Sequence, residues 1–268
     1  MAFDGIGIYC WFRKSISPER KFFLIKELGF ECISLWWGDE YNDTDGSRFE
    51  LIRLAKEIGL DIRNAHAPYR DINDLWGASF IKRKQIIKDY AKCLNECAIY
   101  NIKNLVIHVD DVGFVYDAVY QPAVITEITE LVKLAEQVGV KLVIENYTSF
   151  RAVYEILTNV QSNSLGFCYD SGHEYCFSRE QDFLGNFGNR LIEIHLHDNF
   201  GKNDQHMIPG DGDINWNLLK DRLKKTNYTG PIFLEVTDSL WEHYQGLSDR
   251  KFLQLAINRA RILRKSLA

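Results

Sequence analysis

Short apolar runs alternate with longer stretches of helical periodicity along the whole chain. Eight runs read as strands: 5–10, 32–37, 61–65, 104–108, 141–145, 165–169, 191–196 and 231–236. Between and after them, apolar positions recur every three or four residues over 18–28, 48–58, 76–100, 122–138, 150–160, 179–187, 215–225 and 248–265. These read as helices, with 179–187 the least regular. Ser17 and Pro18 supply an N-cap and first-turn signal, and Gly29, Gly59 and Gly139 each close a helix and open onto a strand. Eight strand–helix units predict an α/β fold, a single (β/α)8 TIM barrel whose active site lies at the C-terminal mouth of the strands. A doubly wound open sheet is the main competitor. It would show a glycine-rich phosphate loop after the first strand, and YCWFRKS holds no glycine. No linker or composition break divides the chain, so one domain over 1–268 is expected.

Composition adds boundaries. With 268 residues, 46% of them hydrophobic, the chain can bury a large core. A net charge of −5 and no basic run give nucleic acid no bulk attraction, although a local groove could still bind it. There is no basic-apolar leader pattern and no 18-residue apolar run, so the expectation is a cytoplasmic protein away from membranes. The six cysteines then read as free thiols, and Cys93 and Cys97, four apart on a helix, as small buried residues. Lys82, Arg83, Lys84 and Lys88 read as a solvated helix face.

The chemistry gathers where a barrel would use it. The stretch 191–216, LIEIHLHDNFGKNDQHMIPGDGDINW, brings His195, His197 and Asp198 to a strand end, then Asp204 and His206 in the loop beyond. Other strand ends carry His66, His108, Glu145, Asp170 with His173, and Glu235. Only His243 stands apart among the seven histidines. Imidazole and carboxylate are the ligands of catalytic Zn, Mn, Co or Mg. A carboxylate at the rim of a barrel core is costly unless it is paired, hydrogen-bonded or metal-bound. A metal site is therefore expected. Trp36 and Trp37 must face opposite ways, because strand residues alternate.

The Glu of VIEN, the D-x-x-H of DSGH, the HLHDN run, the PGDGDINW turn and the Glu of FLE resemble the xylose isomerase-like TIM-barrel superfamily. That group includes sugar isomerases and epimerases and the endonuclease IV family. In the first branch the resemblance implies one divalent metal (Mn, Mg, Co or Zn) on Glu145, Asp170, His195 and Glu235. Glu145 and Glu235 would move a proton through a metal-stabilised enediolate of a small sugar or sugar phosphate. His66, His108, His173 and His206 would contact substrate, with Trp11, Trp37 and Tyr69 walling the pocket. The endonuclease IV branch implies up to three zinc ions on His66, His108, Glu145, Asp170, His173, His195, Asp204, His206 and Glu235, and a phosphodiester of nucleic acid as substrate. The loop GDEYNDTDGS after strand 2 is acidic and would repel a phosphate chain, which ranks the nuclease second. A non-catalytic sugar-binding barrel is a third reading. His197 is expected as a neighbour of the site, and a homo-oligomer is a candidate assembly.

Overall fold

The computed structural model describes residues 3–12, 16–38, 47–240 and 242–267. Eight parallel strands run in sequence order: β1 (Ile6–Tyr9), β2 (Cys32–Trp36), β3 (Asp61–His66), β4 (Asn104–Ile107), β5 (Lys141–Glu145), β6 (Leu165–Asp170), β7 (Leu191–His195) and β8 (Ile232–Leu234). β1 pairs with both β2 and β8. A single parallel bridge, Leu196 to Leu234, brings β7 to β8 and nearly closes the barrel. The described helices are α1 (Pro18–Leu28), α2 (Arg48–Ile58), α3 (Phe80–Tyr100), α4 (Gln121–Val138), α5 (Phe150–Asn159), α6 (Ser171–Phe177), α7 (Phe183–Phe187), α8 (Trp216–Leu223) and α9 (Asp249–Leu267). The (β/α)8 expectation holds.

Local signals explain the joints. Ser17 caps α1, and Gly29, Gly59 and Gly139 end their helices at positive φ, which a side chain would oppose. Three helix expectations need correction. The first turn of 76–100 is not helical: Ser79 caps α3, and Ile72–Trp76 forms a separate 3-10 turn. Of 179–187 only Phe183–Phe187 is helical, because Asp182 caps it there. Helix α6, directly after β6, is absent from the periodicity. It starts because the Asp170 carboxylate accepts the His173 amide at 2.7 Å, an N-cap that leaves no loop between strand and helix. Within the basic stretch of α3, Arg83 is buried and pairs with Glu127 rather than facing solvent.

Strand alternation sorts the side chains into two layers. Ile33, Leu105, Ile107, Leu142, Ile144, Phe167 and Ile194 pack outward in the main core with the helices. Val106, Val143 and Cys168 fill the barrel interior against Ile192. Deeper still, the fully buried Glu193 accepts from Arg63 Nε at 3.1 Å and from Asn104 Nδ2 at 2.5 Å. Burial raises the Glu193 carboxyl, and Arg63 offsets this only in part. All six cysteines are free thiols, and burial raises those of Cys93 and Cys97. Among the described residues no helix is long and apolar enough to cross a membrane. Of the acidic loop that argued against a nuclease, residues 38–47, positions 39–46 lie outside the described residues.

After β7 the chain is organised by Asp198, which has no exposed surface. Its Oδ1 accepts from the amides of Asn199 (2.9 Å) and Ile214 (3.1 Å); its Oδ2 accepts from the Gly210 amide (2.8 Å) and Trp216 Nε1 (2.7 Å). One carboxylate thus gathers both ends of the PGDGDINW turn and fixes the excursion that carries Asp204 and His206.

Two stability tests follow from these buried carboxylates. Asp198→Asn replaces an acceptor by a donor that faces two N–H groups, and should cost about 3 kcal/mol in urea unfolding. A loss within error of zero would remove the hub role. Arg63→Ala leaves Glu193 uncompensated and should cost about 3 kcal/mol at neutral pH. Because the folded pKa of Glu193 lies above its unfolded value, the penalty is absent below the unfolded value and grows as pH rises through the folded one. The gap between variant and wild type should therefore narrow on acidification; a gap that widens contradicts the assignment.

Candidate metal centre

Every histidine expected at a strand end comes to the mouth of the barrel. His66 ends β3, Glu145 ends β5, Asp170 ends β6 and His195 ends β7; His108 and Glu235 follow β4 and β8 directly. In register, Asp170 pairs with His195, whereas Glu145 pairs with Cys168, two residues before Asp170, so the Glu145 carboxylate meets the other two from one step further down the sheet. His173 comes from the first turn of α6, held back over the barrel by its Nδ1 bond to the Asn146 carbonyl at 3.0 Å. His206 sits at φ 46°, a backbone region unusual for a residue with a side chain. The Glu235 carbonyl, 2.9 Å from its Nδ1, anchors it there.

Glu145 is the centre. Its Oε1 lies 2.8 Å from His195 Nδ1; its Oε2 lies 3.0 Å from His66 Nε2 and 3.2 Å from His108 Nε2. His195 Nδ1 is also 2.6 Å from Glu235 Oε2. Asp204 stands further out, with its Oδ2 2.9 Å from His206 Nε2 and 3.2 Å from His173 Nε2. Three imidazoles have a fixed tautomer. A carbonyl can only accept, so Nδ1 of His66 (to Ala67 O, 3.0 Å), His173 and His206 carries the proton. In each neutral ring Nε2 then presents a lone pair to a carboxylate oxygen, which is repulsive unless a proton or a cation lies between.

Charge states follow the same logic. Burial would raise Glu145, but His195 and His108 outweigh it and hold its carboxyl well below the usual range. Burial opposes the ionised Glu235 too, yet His195 brings it down to about 2. Burial lowers His108, whereas Asp204 overcomes burial to lift His206 to about 9. Glu145 and Glu235 are thus held as anions although both are buried.

The donor set fits divalent cations. Glu145, Asp170, His195 and Glu235 each offer one atom, all within 4.8 Å of one another; His66, His108 and Glu145 form a second such group, His173, His197, Asp204 and His206 a third, and Glu145, Cys168 and His195 a fourth that overlaps the first. Two ligands about 2.1 Å from one zinc stand at most about 4.2 Å apart, so small movements suffice. Asp170 Oδ2, Glu235 Oε2 and Asp204 Oδ1 are buried with no hydrogen-bond partner, as oxygens reserved for a cation would be.

The pocket above these groups is lined by Tyr9, Trp11, Trp36, His66, Tyr69, His108, His173, Asp204, His206 and Glu235. Trp11 meets His206 edge-on at 4.6 Å, and Tyr69 stacks on His108 at 4.4 Å. Trp37 is a correction. Its ring is buried outside the barrel, where Nε1 donates to Glu96 at 2.8 Å and Arg48 lies over its face. Trp36, one residue earlier and therefore on the inner face, takes the wall position and stacks on His66 at 5.5 Å. Tyr9 was missed although it ends β1 with the inward parity of Gly7. His197, expected only as a neighbour, is fully buried inside the third donor group. His243 is exposed on a short turn, Glu242–Tyr244. Asn199 braces the excursion through the Gly172 carbonyl, and Asp211 accepts from Tyr244 and Arg259, so both support the loop.

Comparison with known proteins agrees with this architecture. A protein of Sinorhizobium fredii described as uncharacterized is 27% identical over 253 residues, covering 80% of this chain and 79% of its own. An IolI protein with a bound zinc atom superposes with a TM-score of 0.80 at 17% identity over 99% of both chains. A D-psicose 3-epimerase from Clostridium cellulolyticum H10 gives 0.78 at 15% identity over 98% of this chain and 99% of its own. The family model described as xylose isomerase-like TIM barrel matches residues 22–261. The chain belongs to the xylose isomerase-like TIM-barrel family.

Proposed function

We propose that this protein is a divalent-metal-dependent isomerase or epimerase of a small sugar. The observation that carries this reading is the pair Glu145 and Glu235, which flank His195 Nδ1 at 2.8 and 2.6 Å beneath a pocket walled by aromatic rings. The likeness in fold to a D-psicose 3-epimerase studied with D-tagatose supports the substrate class, and the zinc of the IolI protein supports a divalent ion.

Glu145, Asp170, His195 and Glu235 would hold the ion. Bound there, it supplies Lewis acidity to the substrate's carbonyl and neighbouring hydroxyl oxygens. The protein's own groups do the rest. Glu235 stays ionised at neutral pH, held so by His195, whose Nδ1 lies 2.6 Å from its Oε2, and as a carboxylate it can accept a proton from carbon. Glu145 is ionised as well, and its two oxygens are steered by His195 on one side and by His66 and His108 on the other. Two carboxylates converging from β5 and β8 allow one to take the proton and the other to return it. The rings of Tyr9, Trp11, Trp36 and Tyr69 offer flat apolar faces to the sugar's C–H groups and exclude water, while His66 and His108 reach its hydroxyls.

A second reading, an endonuclease IV-like phosphodiesterase, is favoured by one observation. The Glu145–Asp170–His195–Glu235 group shares Glu145 with the His66–His108 group through different oxygens, and His197 Nε2 of the outer group lies 2.9 Å from Asp170 Oδ1, an arrangement suited to several ions acting on one phosphate.

Proton exchange separates the two. With metal-loaded protein and a panel of ketoses and aldoses in D2O, proton NMR should show deuterium entering at the carbon beside the carbonyl, and chelation should abolish it. Glu235→Gln should slow the exchange by about 10³-fold. Incision of an abasic-site duplex, with no exchange into any sugar of the panel, would overturn the isomerase reading in favour of the phosphodiesterase.

A further inference from the structure

Beside the mouth lies a larger cavity that no step of the proposed reaction uses. The pocket above Glu235 leaves about 80 Å³ of free space, well below the roughly 300–1,000 Å³ of an ordinary ligand pocket. A cleft of about 580 Å³ opens in the rim next to it. Its walls are the loops after β4 and β5 and the end of α6 with the loop that follows.

The two cavities share a partition one ring thick. Tyr147 stands in it, with its centroid 4.5 Å from His173 and 4.8 Å from His108, which line the inner pocket. On its other side Phe177, which lines the cleft, is 5.3 Å away. His173 and Phe177 are themselves only 6.4 Å apart. A molecule seated over His173 therefore reaches the cleft by extending little more than the width of one sugar ring.

The cleft is braced open. Asp110 Oδ2 accepts from the Thr148 amide at 3.0 Å, the Thr148 hydroxyl and the Ser149 amide at 2.7 Å, which ties the loop after β4 to the loop after β5. Asn73 holds the first of these from behind, accepting the Asp111 amide at 2.8 Å. Ser178 Oγ donates to the Thr148 carbonyl at 3.0 Å and draws in the third wall. A site already held in shape loses little freedom when it binds.

Its lining matches a neutral sugar ring. Phe114, Tyr116, Phe150 and Phe177 are partly buried and offer apolar faces, to which the C–H side of a pyranose can pack. Glu180 and Gln181 stand exposed at the lip, where a carboxylate and an amide can meet hydroxyls. A phosphate finds less. Among the described lining residues the cation is Arg179, whose guanidinium already donates to the Gly201 carbonyl at 2.9 Å and lies over the Tyr175 ring at 4.7 Å.

We propose that the rim cleft binds a second sugar ring, so that the substrate is a disaccharide whose reducing unit reacts over Glu145 and Glu235. This rests on the isomerase reading of the inner pocket and adds the size and charge of the substrate to it. The remote ring, held against Phe114 and Phe177, then helps to fix the reacting carbons in place.

Two ketose disaccharides, 4-O- and 6-O-glucosyl-D-fructose, test this beside free D-fructose. With metal-loaded protein in D2O, one of them should be exchanged with a kcat/KM about 10-fold or more above that of the free ketose. Calorimetry should rank their binding the same way. Phe114→Ala, and separately the exposed pair Glu180→Ala with Gln181→Ala, should bring both ratios toward one; the exposed pair decides if the phenylalanine variant does not fold. A disaccharide preference that is absent from both readouts, or that survives the cleft variants, overturns the proposal. Exchange into D-fructose without such a preference leaves the isomerase reading standing alone. A binding preference that the cleft variants remove, with no exchange in any sugar, sinks the isomerase and keeps the cleft.

Discussion

Glu145 has no exposed surface, yet it faces three imidazoles and stands one histidine away from a second buried carboxylate, Glu235. Asp170 joins the same donor group, and Asp204 stands in the outer one with His173, His197 and His206. Uncompensated, such a group would cost several kcal/mol per charge. Imidazoles can answer that charge only by taking up protons or by sharing a cation. Bonds on the far side of His66, His173 and His206 aim the Nε2 of each ring at a carboxylate, where it can hold a proton or share a cation. Compensation of buried negative charge is what the mouth of this barrel is built to manage.

Rigid backbone does most of the aiming. Carbonyls of Ala67, Asn146 and Glu235 set the tautomer and tilt of three rings, so little side-chain entropy remains to be lost when an ion binds. Asp170 serves twice: Oδ1 starts α6 by capping it, and Oδ2 is left bare. Asp198 acts further from the ligands, gathering four donors so that the excursion after β7 has a single shape. Below the site, apolar Val106, Val143 and Cys168 separate the ligands from the Arg63–Glu193 pair. The barrel thus keeps two charged layers apart with one buried apolar layer between them.

The same mouth shows why this family's fold does not by itself name a reaction. Its inner four-ligand group and its aromatic walls suit a small polyol, whereas the adjoining histidine groups supply further donors. Single residues such as His197, stacked on His206 with its Nε2 3.7 Å from Asp204 Oδ1, set how much room the outer group leaves beside that carboxylate.

Much of this was legible in the chain itself. Eight strand–helix units follow from periodicity and from the helix-ending glycines, both local properties, and the histidines and carboxylates at strand ends stand out because a barrel gathers those positions at one mouth. One local signal lies outside periodicity: Asp170 is an N-cap sitting three residues before His173, which is why a strand could run straight into α6. The wall was harder. Choosing Trp36 over Trp37, and recognising Tyr9 and His197, required knowing which alternating face of each strand points inward. Alternation fixes that two neighbours differ, but only barrel closure and strand register say which one faces the axis. Sequence therefore determined which residues reach the mouth; the tertiary structure decided which of them meet, because contacts between β3, β5, β6, β7 and β8 depend on register across strands that no local pattern encodes.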